Sequence, residues 1–236
     1  MIINLNNLFI VQDKYKLSKG KILLKSILLQ ISALIAVLPI LFLANLLSSY
    51  LGITVHDSSA NMMVTNLMHN HSALMFFILA MQGPLREEAT FRLWQSMKKL
   101  HVTICLFFIS LFLLNLIGIN NTHNIKIILA ASKISISLLI AIVFYISVKE
   151  SQCILIRRNK KLMKTLLLLS CFLFAIMHFQ NYDVTCQNFL FVLLKCSPQF
   201  LAAIILTYLR LNLGFWYAVF WHGGTNFMIA LLLYYL

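Results

Sequence analysis

Apolar side chains run along this chain in long, nearly unbroken stretches separated by short polar or basic ones. Neither the alternation of a half-buried strand nor the single apolar stripe of a surface helix is present. Stretches at 22–47, 62–81, 100–118, 125–148, 162–179, 188–209 and 214–236 each approach the ~20 residues that a membrane-crossing helix needs. The pattern predicts an all-α polytopic membrane helical bundle with about seven transmembrane helices, within a range of roughly six to eight. Pro39 predicts a kink in the first, and Lys195 with Pro198 a break near the start of the sixth. The second stretch meets Gly83-Pro84. Leu85, Phe91, Leu93, Trp94 and Met97 keep the next segment apolar between its charges, so a bent helix continuing to about Lys99 is expected. Three segments result: 1–21, a cytoplasmic N-terminal segment; 22–71, an N-terminal membrane segment; and 72–236, the core that carries the polar motifs.

Composition strengthens this picture. Of 236 residues, 61% are apolar and 11% charged, and the mean hydropathy is +0.89. A soluble domain carries roughly 25% charged residues. The net charge of +13 does not indicate nucleic acid, because the basic residues lie in short clusters beside apolar runs, as in the positive-inside pattern. All 19 except Lys126, Lys133 and Lys195 fall before residue 26, in 86–99, in 149–164 or at Arg210. With seven spans these regions share one side, so the N-terminus is expected in the cytoplasm. The first apolar stretch lacks a small-residue cleavage site and reads as a retained span. The five cysteines show no ligand spacing and read as free thiols.

Six acidic residues remain, and two of them, Glu87 and Glu88, stand side by side between apolar runs. An ionised group at membrane depth costs about 2.5–3.5 kcal/mol on insertion scales and usually marks function. Glu88 and Arg92 are one helical turn apart with the acid first, the favourable order for a pair. Glu87 points about 100° away on the helical wheel, so it faces something else. Two further polar groups interrupt apolar helices: Phe174-x-x-x-His178, and His222-Gly223-Gly224-Thr225-Asn226. In each, the outer residues are four apart and share a face. Gly223 and Gly224 leave room for another backbone or a substrate. His56, His69, His71, His101 and His123 lie in expected loops or at span ends and read as solvated. Lys133 and Lys195 read as snorkelling.

Taken singly, an intramembrane His or Asn is as well explained by helix–helix hydrogen bonding, and the Glu–Arg pair by structure alone. Together, an acid, two histidines and an amide form a general-base and oxyanion set. His, His and carboxylate are also a hydrolytic zinc set, with Glu87, His178 and His222 as the ligands if a divalent metal is present. A membrane immunity or partner-binding protein, or a small proton-coupled transporter, would use the same residues as a structural network or a relay. An odd helix count without an internal repeat disfavours the transporter.

The three motifs, GPLREEATFR (83–92), FLFAIMHF (172–179) and VFWHGGTNF (219–227), resemble in order and placement those of the CPBP family. These are glutamic-type intramembrane proteases that include the CAAX prenyl endopeptidases and the Abi proteins linked to bacteriocin self-immunity. The resemblance covers about residues 72–236. It implies an endopeptidase of a bacterial cytoplasmic membrane acting on a membrane-associated peptide or protein with an apolar or lipidated tail. Glu87 with His178 would activate water, His222 and Asn226 would stabilise the oxyanion, and Glu88, Arg92 and Phe174 would support the site. One departure is Leu93-Trp94, where many bacterial members have Gly after the Arg; this implies a narrower cavity or an altered lateral opening. For His178 to reach the depth of Glu87, its helix is expected to start well before Leu162, around Ile154.

Overall fold

The computed structural model describes residues 18–58, 73–116 and 123–235. Every regular element among them is a helix, because the apolar runs offer long side chains to a backbone that must satisfy its own hydrogen bonds away from water. In chain order the helices are α1 (Lys19–Tyr50), α2 (Ala73–Phe91), α3 (Lys99–Leu116), α4 (His123–Ser147) and α5 (Glu150–Arg158). They continue with α6 (Lys160–Met177), α7 (Phe189–Lys195), α8 (Ser197–Asn212) and α9 (Phe215–Tyr235). Single 3-10 turns lie at Leu93–Ser96 and His178–Asn181.

Four stretches among the described residues are long and apolar enough to cross a membrane: Lys19–Tyr50, Leu129–Ser147, Lys160–Asn181 and Phe189–Asn212; Lys99–Asn115 is a shorter apolar helix. The expected second span is less clear-cut, since α2 carries Arg86, Glu87 and Glu88 within 19 residues and residues 59–72 lie outside the described ones. The surface suits a lipid environment. Leu28, Leu34, Ile35, Leu38 and Phe42 of α1 and Leu139, Val143 and Ile146 of α4 are exposed. A helix that is apolar all round needs an apolar surrounding.

The chain divides into two compact units, one of Met1–Pro84 with Leu167–Leu236 and one of Leu85–Leu166. In the first, Ile22 and Leu29 of α1 pack with Ile205, Leu206, Tyr208 and Leu209 of α8 and Ala218 of α9 into a buried core. The Lys25 ammonium lies over the Tyr208 ring, 5.0 Å from its centre. At the opposite end of α1, Asp57 and Tyr182 form an isolated antiparallel bridge, and Asp183 N–H donates to the His56 carbonyl at 3.0 Å. In the second unit, α3 packs along α4 and against the 3-10 turn Leu93–Ser96.

Three features of the helical pattern differ from expectation or refine it. First, α2 passes through Gly83-Pro84 as one helix but ends at Phe91 rather than near Lys99. Trp94 Nε1 donates to the Phe91 carbonyl at 2.7 Å, satisfying one of the acceptors a helix end leaves open. Met97 then takes a left-handed conformation (φ 52°) before α3. Second, α6 does not begin near Ile154. Asn159 is extended (ψ 93°), and its Oδ1 accepts from Leu162 N–H at 3.0 Å. Asn159 thus caps α6 and leaves Glu150–Arg158 as the separate helix α5. Third, the break in the sixth stretch is present at Cys196, with Pro198 in the first turn of α8, where its missing N–H is harmless.

Candidate active site

The acidic motif occupies the last two turns of α2, in the second unit. Glu88 and Arg92 are 0% and 1% exposed, and Arg92 Nη1 donates to Glu88 Oε1 at 2.5 Å. A buried carboxylate and guanidinium are each tolerable only with the other present, so the spacing read from sequence is realised as an ion pair. The pair sits where α2 ends, Arg92 N–H making the closing bond to the Glu88 carbonyl at 2.9 Å. Glu87, one residue earlier and so about 100° away around the helix, is half-buried.

Several side chains around this helix end were not singled out from sequence. Thr90 Oγ1 donates to the Arg86 carbonyl at 2.7 Å. The buried Cys105 thiol of α3 donates to the Thr90 carbonyl, tying the end of α2 to α3. Gln95, in the 3-10 turn, is also buried. Only an apolar environment around a Thr, a Gln and a Cys could have flagged them, and hydropathy alone does not resolve that. His101 lies in the first turn of α3, at a span end, with its Nδ1 2.7 Å from Ser96 Oγ. His69 and His71 lie outside the described residues.

The histidine motifs belong to the first unit. Phe174 of α6 is 1% exposed. Its ring centre lies 4.8 Å from that of His178 and 5.7 Å from that of His222 in α9. One buried aromatic therefore brings together two histidines that are 44 positions apart in the chain. His178 stands just past the end of α6, in the 3-10 turn, and its Nδ1 is 2.8 Å from the Phe174 carbonyl oxygen. A carbonyl only accepts, so Nδ1 carries the proton and neutral His178 keeps its basic lone pair on Nε2. His222 is buried, and Asn226 follows it one turn later on the same face of α9, half-buried.

The two glycines between them do different things. A Cβ at Gly223 would meet the Met81 sulfur and lie 3.5 Å from the Ala80 carbonyl oxygen, whereas one at Gly224 would meet nothing within 4 Å. The Ala80 carbonyl is the acceptor that Pro84, four residues on and lacking an N–H, leaves open. Gly223 thus lets α9 approach α2 beside the proline.

The turn carrying His178 is held by its neighbours in the chain. Asn188, 4% exposed, accepts from Thr185 N–H at 2.8 Å and donates to the Asp183 carbonyl at 2.9 Å. Ser58 N–H donates to the Asn181 carbonyl at 2.8 Å. Lys195 lies 5.8 Å from the centre of the Tyr182 ring, which accommodates the cation at the end of α7. Burial pushes the Tyr182 phenol above its ordinary range, with Cys196 and Asp57 adding to it. Lys133 directs its Nζ to Asn115 Oδ1 at 3.4 Å.

No family model, curated protein or solved structure matches this chain. The likeness to the CPBP proteases therefore stands on the three motifs themselves. As to a metal, among the described residues no three His, Cys, Asp or Glu side chains are grouped as a metal ion requires.

Proposed function

We propose that this protein is an intramembrane endopeptidase of the CPBP type, with about seven spans and its N-terminus in the cytoplasm of a bacterium. It hydrolyses a peptide bond in a membrane-associated peptide or protein with an apolar or lipidated tail. The observation that carries this is the pair of adjacent acids at the end of α2: Glu88 is buried in an ion pair with Arg92, and Glu87, the residue before it and so about 100° away around the helix, is half-buried. A second carboxylate in an apolar setting is expensive and usually marks function.

In this mechanism the Glu87 carboxylate takes a proton from water as the water oxygen bonds to the scissile carbonyl carbon. His178 accepts a hydrogen bond from that water through Nε2, the orientation that its Nδ1 bond to Phe174 imposes. The carbonyl π pair moves onto oxygen, and the oxyanion takes hydrogen bonds from the Asn226 amide and the His222 ring N–H. Collapse of the tetrahedral intermediate breaks the C–N bond, and Glu87 returns its proton to the leaving amine. Glu88 and Arg92 fix the end of α2, and Phe174 orients both rings.

The test compares membrane proteomes of cells carrying the wild-type chain or Glu87→Ala. A peptide or protein whose terminal tail is trimmed in the first and intact in the second supports the proposal. Identical trimming in both sinks it.

A further inference from the structure

Helix α5 is not absorbed by this chemistry, and its position in the chain restricts where it can be. Only Val148 and Lys149 separate it from α4, and only Asn159 from α6. Both neighbours contain stretches suited to crossing a membrane, Leu129–Ser147 and Lys160–Asn181. A two-residue link reaches about 7 Å, so α5 is confined to the membrane surface whenever its neighbours span. Its first turn is anchored there, since Glu150 Oε2 accepts from Lys99 N–H at 3.0 Å and Lys99 Nζ stands 4.2 Å from the centre of the Tyr145 ring.

The helix has two faces. Cys153 points inward at 3% exposure, whereas Ile154 and Leu155 are 42% and 69% exposed. Beside these apolar residues Arg157, Arg158, Lys160 and Lys161 are all exposed, and none of the four is ion-paired among the described residues. Exposed aliphatic side chains flanked by unpaired cations suit the boundary between acyl chains and headgroups. The excess positive charge selects the sign of the headgroup.

We propose that α5 is an anionic-lipid docking surface, with Ile154 and Leu155 entering the acyl boundary and the four cations holding negatively charged headgroups. This rests on the membrane reading of the chain but not on its being a protease. A nine-residue helix is marginal by itself, so the charge of the surface sets how often α5 opens. Cys153 reports that opening, because its thiol is covered only while α5 is folded in place.

The full chain is reconstituted into nanodiscs of phosphatidylcholine alone, or with about 30% phosphatidylglycerol to supply the negative surface. Maleimide labelling of Cys153 is followed by peptide mass spectrometry at one pH, with the exposed Cys186 as internal reference. The expected result is slowing of Cys153 labelling by at least about fivefold in the anionic discs. That lipid effect should vanish in the Arg157→Gln, Arg158→Gln, Lys160→Gln, Lys161→Gln variant while Cys186 is unchanged. Equal Cys153 rates in the two bilayers overturn the proposal, as does a variant that keeps the lipid effect. A chain that fails to insert into either bilayer overturns the membrane reading, and this surface with it.

Discussion

The end of α2 and the histidine face shared by α6 and α9 both place polar groups among apolar residues, yet they are held by different forces. At the end of α2 a full negative charge is buried, and only a full positive charge can sit against it, so Glu88 and Arg92 are inseparable. At the histidine face the Phe174 carbonyl meets Nδ1 of His178, and the buried Phe174 ring lies against both His178 and His222. The difference teaches where each region can afford change. The acidic end is stable only as a pair, whereas the histidine face depends on packing around Phe174.

The largest effect should come from splitting the pair. Glu88→Ala leaves Arg92 buried without its carboxylate, an expected loss of about 3–5 kcal/mol, visible as a collapse in folded yield and thermal midpoint in detergent. Replacing both, as Glu88→Leu with Arg92→Met, should recover most of that stability. If the single variant is as stable as wild type, the pair is not what holds the end of α2.

Removing the ring comes next. Phe174→Ala empties a fully buried site, with an expected cost of about 3 kcal/mol, and releases both imidazoles from their common neighbour. Phe174→Leu should restore most of the stability but not the ring contacts. Thermal unfolding separates the two, and His178 and His222 ring resonances should move together in both variants. Resonances that shift independently would show that the histidines are not coupled through Phe174.

The smallest effect concerns the glycines of α9. Gly223→Ala must displace the Met81 side chain and is expected to cost about 1 kcal/mol. Gly224→Ala has open space and should be neutral or gain up to about 1 kcal/mol from helix propensity. Thermal midpoints of the two variants decide this. The reverse order would remove the close approach of α9 to α2 from the account.

Much of this comparison was legible in the residues. The apolar runs marked most of the long helices among the described residues. The four-residue spacing of Glu88 and Arg92 foretold their ion pair, and Lys195 with Pro198 marked the break before α8. What escaped the reading was written in side chain to backbone bonds, which hydropathy does not register. Trp94 caps Phe91 and ends α2 early, and Asn159 caps α6 and splits off α5. Cys105, read from sequence only as a free thiol, donates to the Thr90 carbonyl. The role of Phe174 was legible only in part: its four-residue spacing to His178 shows in the sequence, but its contact with His222 requires the packing of two helices.

The division of labour between the neighbouring acids can be measured directly. Glu87→Gln and Glu88→Gln, each expressed at matched levels, are compared for folded yield, thermal midpoint and trimming of membrane-peptide tails. The expectation is that Glu87→Gln folds like the wild type and trims nothing, while Glu88→Gln is the one that loses folded protein. Full trimming by a well-folded Glu87→Gln chain would contradict the assignment of chemistry to Glu87.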